Sequence, residues 1–234
     1  YIIGMVMSSE INVAYINFKG IDKGFELIKN NLREFRINLH YIDLSNIKNE
    51  LRKERFSVTI ISPKNSFALL PEEIEIFKDY IITGGNYILL IGSSVLEIFN
   101  DSLKAILDIM KIFPRPDAEI SDQEVNLKVV ANDIFSGILT PLSIPDPLTF
   151  LIASENEVLG IASGVDRLEG LPLMIYGEKG SGKFVIIGTQ RIFEEEQFKK
   201  DENFKLLVNV INLFLGKKIE EKVLQVEKEE IKEE

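Results

Sequence analysis

The stretch from residue 70 to residue 97 constrains the fold more than any other, because it predicts a helix, a turn, a buried strand and the start of a second helix. Pro71 is a favoured first helical residue, and the two glutamates after it suit the positive end of the helix dipole. Gly84 and Gly85 are typical of a helix C-cap. The uninterrupted apolar run 87–91 is typical of a strand covered on both faces.

Strands and helices alternate through the first half of the chain. The apolar patterns predict strands at 11–18, 37–44 and 56–62, with a helix between the first two. A further helix is predicted over 103–112, closed by Pro114. Alternation of this kind is typical of an α/β fold of three layers, in which helices cover both faces of a mostly parallel sheet.

The second half carries short strands separated by turns, a pattern that favours antiparallel pairing. A last helix is predicted between Asp201 and Gly216, and the charged residues 217–234 follow as a helical or disordered tail. We therefore predict one α/β domain over residues 1–216, with antiparallel strands in its C-terminal half. The predicted short strands are 127–130, 150–153, 158–162, 173–176 and 184–187.

Composition excludes several classes of function. A net charge of −10 argues against a nucleic-acid partner, because phosphate binding needs a basic surface. The chain has no cysteine and a single histidine, His40, so thiolate chemistry and histidine-rich metal sites are excluded, and we expect no metal and no cofactor. No apolar run approaches the roughly 20 residues of a membrane span. Richness in Ile, Lys and Glu favours a thermophilic source.

The chain does not begin with Met, so the question of a removed upstream segment stays open. A cytoplasmic location is the default expectation.

Residues 177–183 have the G-x4-G-K spacing of a nucleotide-binding P-loop. Phe184 follows where a hydroxyl would hold magnesium, and the residues after it predict a strand rather than a helix whose N-terminus could face phosphate. We therefore predict a hairpin turn, in which glycine supplies the positive φ.

Ser93 and Ser94 lie in the predicted turn between strand and helix, where α/β hydrolases place a nucleophile. The flanking pattern is not G-x-S-x-G, and His40 lies in the middle of a predicted strand. Helix capping explains Ser94. A hydrolase that uses Ser93 or Ser94 is therefore the alternative to a non-enzymatic domain.

Residues 60–63, 70–73, 77–90, 180–188 and 203–215 carry a resemblance to a known family. On these residues the chain resembles a class I glutamine amidotransferase-like (flavodoxin-like) domain. More narrowly, it is similar to the non-catalytic group found in intraflagellar-transport and gliding-motility proteins. The resemblance implies a scaffold for binding, often in protein assemblies.

True amidotransferases carry a cysteine in the turn after the pivotal strand, and a histidine and a glutamate after a late strand. Against that pattern, Gly92 falls near the cysteine position and Gln190-Arg191 near the histidine position. Both catalytic groups are missing, so the resemblance implies no hydrolysis by this chain.

Open parallel sheets bind ligands beyond the carboxyl ends of their strands. Positive side chains and the start of a helix at that edge predict a small anion, such as a carboxylate or phosphate; an empty cleft is the other interpretation. We therefore expect a non-enzymatic scaffold that binds a protein partner, a second copy of itself or a small anionic ligand. The predicted ligand-binding residues are Asn17, Lys19, Ser62, Lys64, Asn65, Gly92, Ser93, Ser94, Gln190 and Arg191.

Overall fold

A computed structural model of the protein defines the fold. It describes residues 10–17, 23–51, 56–63, 70–92, 101–115, 125–126, 133–135, 142–154, 157–164, 168–194, 197 and 203–216.

The strands are β1 (Ile11–Asn17), β2 (Ile37–Tyr41), β3 (Val58–Ser62), β4 (Tyr87–Leu90), β5 (Ile112–Pro114), β6 (Val125–Asn126), β7 (Ser143–Ile144), β8 (Phe150–Ile152), β9 (Val158–Ser163), β10 (Pro172–Lys179) and β11 (Gly182–Ile187). The helices are α1 (Lys23–Arg33), α2 (Ile47–Leu51), α3 (Pro71–Ile82), α4 (Asp101–Met110) and α5 (Asn203–Phe214), with short 3-10 turns at Leu44–Asn46 and Asp133–Phe135.

Seven of these strands form one sheet in the order β2-β1-β3-β4-β11-β10-β9. The first five strands in that order are parallel to one another, whereas β10 pairs antiparallel with both β11 and β9. Two small antiparallel pairs, β5 with β8 and β6 with β7, lie outside the main sheet. The predicted α/β fold, a mostly parallel sheet with antiparallel strands in the C-terminal half, is confirmed.

The sheet is covered on both faces, since its central strands β3 and β4 are buried at every position, including the polar residues Thr59 and Ser62 of β3. Residues of β3 and β4 alternate between two hydrophobic clusters, as side chains of a strand must. Phe25 of α1 and Leu207 of α5 belong to the cluster on one face, and Phe77 of α3 and Ile106 of α4 belong to the cluster on the other. The protein therefore has the three layers that the alternation of elements predicts.

Helix α3 begins as its sequence predicts. The Glu73 carboxylate accepts a hydrogen bond of 2.7 Å from the backbone N–H of Leu70, and Pro71 is the first helical residue.

Among the described helices, none has the length and apolar character that crossing a membrane requires.

Several predicted boundaries were wrong, among them the start of β3, which is Val58 rather than residue 56, and the extent of β10, which is longer than 173–176. The helix predicted through residue 112 ends at Met110, because Lys111 has a φ of 55° and Ile112 pairs with Ile152 in a strand. The strand predicted through residue 44 ends at Tyr41, where a 3-10 turn follows from Leu44. The strand predicted over 127–130 and the tail 217–234 lie outside the described residues.

Candidate functional site

The carboxyl ends of β1, β3, β4 and β11 meet at one edge of the sheet because these strands run parallel. Asn17 and Ser62 are direct partners in the register of β1 and β3. Gly92 follows β4, and Gln190 and Arg191 follow β11, its other neighbour. The edge therefore brings together those predicted site residues that the structure describes.

The remaining predicted site residues are outside the described part of the chain, and of Asn17 only the backbone is described. Ser62 is only 1% exposed, so its hydroxyl faces the protein interior rather than an open cleft. The predicted site residues outside the described ranges are Lys19, Lys64, Asn65, Ser93 and Ser94.

Because Gly92 has no side chain, the carboxylate of Asp146 can lie close to its backbone. A Cβ atom placed on Gly92 would lie 3.0 Å from Oδ2 of Asp146 and 3.2 Å from the backbone nitrogen of Gln190. Asp146 has a φ of 50°, a left-handed conformation that Asp tolerates better than most residues. The loop that contains Asp146 therefore folds over the end of β4.

Sequence reasoning missed Asp146, although a local signal was present. Asp146 lies between two prolines, Pro145 and Pro147, in a stretch without periodicity. A proline on each side restricts the backbone, and an aspartate between them is typical of a tight turn. Nothing in that signal shows which strand end the turn would reach.

Hydrogen bonds fix this loop to the exit of β11. The Thr189 hydroxyl donates to the carbonyl oxygen of Pro145 and accepts a bond of 3.1 Å from the backbone N–H of Arg191. The backbone N–H of Leu148 donates to the carbonyl oxygen of Gly188 at 2.7 Å. Thr189 is fully buried, so the position of Arg191 is set by a rigid contact.

The side chain of Arg191 forms an ion pair with Glu194. Its Nε donates to Oε2 of Glu194 at 3.1 Å, and both side chains are about half exposed. An exposed pair of this kind contributes at most about 1 kcal/mol. A ligand carboxylate or phosphate can therefore compete with Glu194 for the guanidinium.

The edge has no imidazole base within the described residues. His40 lies on β2, which is three strand positions away from β4 in the sheet. Its Nε2 is 2.9 Å from Oδ1 of Asn12 on β1. At about 4.8 Å for each step, the backbones of β2 and β4 are roughly 14 Å apart. No group of three or more His, Asp or Glu side chains in the described ranges is placed to hold a metal ion.

The P-loop-like sequence forms a hairpin, as predicted. β10 and β11 pair antiparallel around Gly180, whose φ is 59°, and the turn packs against Gly84 after α3. The backbone N–H of Lys183 donates to Oδ1 of Asn86 at 2.9 Å, beside the start of β4. The hairpin therefore lies at the edge opposite to the predicted ligand site.

Two tyrosines near that opposite edge stay neutral at ordinary pH. Burial raises the pKa of Tyr80 to about 12, and a hydrogen bond from the Thr59 hydroxyl partly opposes this. Burial also raises the pKa of Tyr87, whose hydroxyl donates to Sδ of Met110. Tyr80 donates to the carbonyl oxygen of Asn86, so both hydroxyls serve packing.

The class of fold is clear from solved structures, although no protein-family model and no curated protein sequence matches the chain. The protein is an α/β domain whose structural neighbours are consistent with a glutamine amidotransferase-like fold.

Three solved structures illustrate the likeness. The N-terminal domain of mmIFT52 superposes with a TM-score of 0.64 at 17% identity, over 86% of this chain and 96% of that one. The cytoplasmic protein STM1381 from Salmonella typhimurium LT2 gives 0.59 at 14% identity, over 87% and 99%. A putative GMP synthase protein from Thermoplasma acidophilum gives 0.57 at 10%, over 89% and 96%. At identities this low, the likeness shows the fold alone.

Proposed function

We propose that the protein is a non-enzymatic α/β scaffold that binds a protein partner. The observation that carries the proposal is Gly92: by the resemblance to amidotransferases it lies near the position of their cysteine, and Oδ2 of Asp146 lies 3.0 Å from the place of a Cβ. Covalent catalysis at this position needs a nucleophile and a base within hydrogen-bond reach. Glycine supplies no nucleophile, and the adjacent carboxylate would repel an anionic substrate or intermediate.

The fold shared with the N-terminal domain of mmIFT52 supports a scaffold by analogy. The position of His40, about 14 Å from β4 by strand spacing, supports the absence of hydrolysis. A second copy of the chain or another protein would both satisfy the scaffold proposal.

A small anion is the second candidate, because Arg191 stands at the strand edge with a guanidinium that a ligand can reach. The carboxylates of Asp146 and Glu194 oppose it, so we rank it below a protein partner.

The test of the scaffold proposal is isolation of the full chain from its native cells after cross-linking, with quantitative mass spectrometry. We expect a protein recovered in stoichiometric amount with the wild type and retained by the double variant Ser93→Ala/Ser94→Ala. Recovery of the chain alone, as a monomer, would overturn the proposal.

The same double variant tests the hydrolase alternative. We expect the wild type to show no esterase, amidase or phosphatase turnover above that of the variant. Turnover that the variant loses while remaining folded would replace the scaffold proposal with the hydrolase.

Calorimetric titration with inorganic phosphate and with acetate tests the anion candidate. Arg191→Ala is the diagnostic variant and Lys104→Ala, on the exposed side of α4, is its matched control. Binding that Arg191→Ala removes and Lys104→Ala retains would establish an anion site.

A further inference from the structure

We propose that a pocket beside β2 binds a sugar phosphate, with the phosphate on Lys29 and Arg33 of α1 and with sugar hydroxyls that donate to Asp43. This binding site goes beyond the scaffold function and does not depend on it. We call the cavity the β2 pocket; it has a volume of about 490 Å³, and its lining includes Lys29, Arg33, His40, Tyr41, Asp43 and Asn46.

The β2 pocket is separate from the edge at which the ends of the parallel strands meet. β2 is the outermost strand of the seven-stranded sheet, three strand positions from β4. Neither Gly92 nor Arg191 lines the pocket. Its volume falls within the range of about 300 to 1,000 Å³ that is usual for small-molecule sites. The pocket is therefore a second candidate site, large enough for a small organic ligand.

Two cations of α1 line the pocket together. Lys29 and Arg33 are one helical turn apart, so their Cβ atoms are about 5–6 Å from each other. Within the described ranges, neither forms an ion pair, although Nζ of Lys29 lies 5.6 Å from the centroid of the Phe25 ring. Arg191, by contrast, is paired with Glu194. On a chain with a net charge of −10, two cations without carboxylate partners in one concave pocket favour an anionic ligand.

The two cations suit a phosphate monoester better than a carboxylate. A phosphate monoester carries about −1.5 to −2 charges at pH 7 and presents three acceptor oxygens. The guanidinium of Arg33 can donate two parallel hydrogen bonds to it, and the ammonium of Lys29 can donate a third. A carboxylate has one charge and two oxygens, so it would use this pair of cations less fully.

Asp43, which follows β2, supplies an acceptor in the same pocket. Its Oδ1 accepts hydrogen bonds from the hydroxyl of Ser45 at 2.7 Å and from the backbone N–H of Ser45 at 2.9 Å, and these bonds hold the pKa of Asp43 below its ordinary value. Among the described side chains and amides, nothing else donates to this carboxylate, so Oδ2 is left for a ligand. An ionised carboxylate only accepts hydrogen bonds. The ligand must therefore present donors at this place and no second anionic group.

Two rings of β2 complete the lining. Tyr41 packs against Phe25 with ring centroids 6.0 Å apart, and His40 packs against Phe56 with centroids 5.6 Å apart. These contacts hold both rings in place, so the pocket offers a preformed surface to the carbon skeleton of a ligand. Burial and then the charge of Asp43 raise the pKa of Tyr41, which places the acceptor near this ring. A phosphate at one end and hydroxyl groups along a compact carbon skeleton together match this lining.

The first experiment is calorimetric titration of the full chain with glucose 6-phosphate and with ribose 5-phosphate. We expect at least one of them to bind with a dissociation constant below about 1 mM. Inorganic phosphate and unphosphorylated glucose should each bind at least about tenfold more weakly, because each makes only part of the contacts. In the ¹⁵N-labelled chain, the sugar phosphate should shift the amides of Arg33, Tyr41 and Asp43.

The variant Lys29→Gln/Arg33→Gln removes the cation pair and should weaken the binding of the sugar phosphate at least about tenfold. Lys104→Gln/Lys111→Gln is the matched control, since it removes the same charge from exposed residues outside the pocket. Its affinity should match that of the wild type. Asp43→Asn should weaken the binding of the sugar phosphate but not that of inorganic phosphate, because only the sugar reaches this carboxylate.

Four results would each overturn the assignment: dissociation constants weaker than about 1 mM for both sugar phosphates, inorganic phosphate that binds as tightly as they do, equal effects of the two double variants, or shift changes centred on residues 190–191. The wild-type comparison with phosphate and glucose needs no variant, so a variant that fails to fold leaves the test intact. None of these results bears on the protein partner of the scaffold, which cross-linking tests separately.

Discussion

Lys183 stabilises the end of a helix rather than a phosphate. Its Nζ donates to the carbonyl oxygen of Leu213, in the last turn of α5, at 3.3 Å. Lys183→Ala removes this bond and a cation from the negative end of the helix, so we expect the free energy of unfolding to fall by about 1 kcal/mol. Urea denaturation measures this, with Lys104→Ala as the control.

The hairpin interpretation of residues 177–183 also predicts that calorimetry detects no ATP binding by the wild type or by Lys183→Ala. Micromolar binding by the wild type that Lys183→Ala abolishes would contradict this interpretation.

The raised pKa of Tyr80 predicts that the free energy of unfolding falls at high pH. Burial raises its pKa to about 12 in the folded protein, above the value near 10 of an unfolded chain. Its contribution to stability is therefore complete below about pH 10 and is lost as the pH rises toward 12. In Tyr80→Phe the decline over this interval should be shallower, by up to about 1.4 kcal/mol per pH unit. Equal slopes of unfolding free energy against pH in the two proteins would contradict the prediction.

At the scale of elements, the sequence predicted best those elements whose burial is evident locally. The mainly apolar stretch of β3 and the apolar run of β4 are sufficient for their prediction, because both faces of these strands are covered. β5 and β7 were missed, since each is only two or three residues long and exists because a distant strand pairs with it. The end of α4 depends on the same non-local pairing, through Ile112 and Ile152.

The packing of the β10–β11 hairpin against the end of α3 requires Gly182. A Cβ on Gly182 would lie 2.4 Å from the carbonyl carbon of Gly84 and 2.5 Å from the carbonyl oxygens of Gly84 and Gly85. These are backbone atoms, so relief needs movement of the hairpin or the helix. We expect Gly182→Ala to lower the free energy of unfolding by about 3 kcal/mol or more.

Gly170→Ala is the matched control, because Gly170 has a φ of 79° and no atom within 4 Å of an added Cβ. It should cost only the strain of the left-handed conformation, about 1 kcal/mol. Urea denaturation of both variants decides the matter; because Gly182, unlike Gly170, does not have a positive φ, equal losses would contradict the packing argument.

At the scale of the whole molecule, the sequence predicted which strand ends share an edge but not what covers that edge. Parallel strands place Ser62, Gly92 and Gln190 together by topology alone. The approach of Asp146 to Gly92 depends on how a loop without periodicity folds, and the pairing of Arg191 with Glu194 depends on the turn after β11. Local patterns carry no information about either contact.

The whole-molecule prediction concerns the two faces of the sheet. Phe77 lies in the cluster under α3 and α4, and Leu207 lies in the cluster under α5, both fully buried. If residues 1–216 form one domain, as the sequence predicts, the shared sheet couples the faces, and either truncation lowers the stability of the same cooperative transition. We expect losses of about 3–5 kcal/mol for Phe77→Ala and about 2–5 kcal/mol for Leu207→Ala.

Far-UV circular dichroism and tyrosine fluorescence should give coincident urea transitions in both variants, with unchanged slopes, because the surface exposed on unfolding is the same. Ile82→Ala is the control, since Ile82 is 57% exposed and its truncation should cost less than about 1 kcal/mol. Tyr15 and Tyr87 report on opposite clusters, so the fluorescence follows both faces at once. Separate transitions in either variant would mean that each face unfolds by itself and that the chain is not one domain.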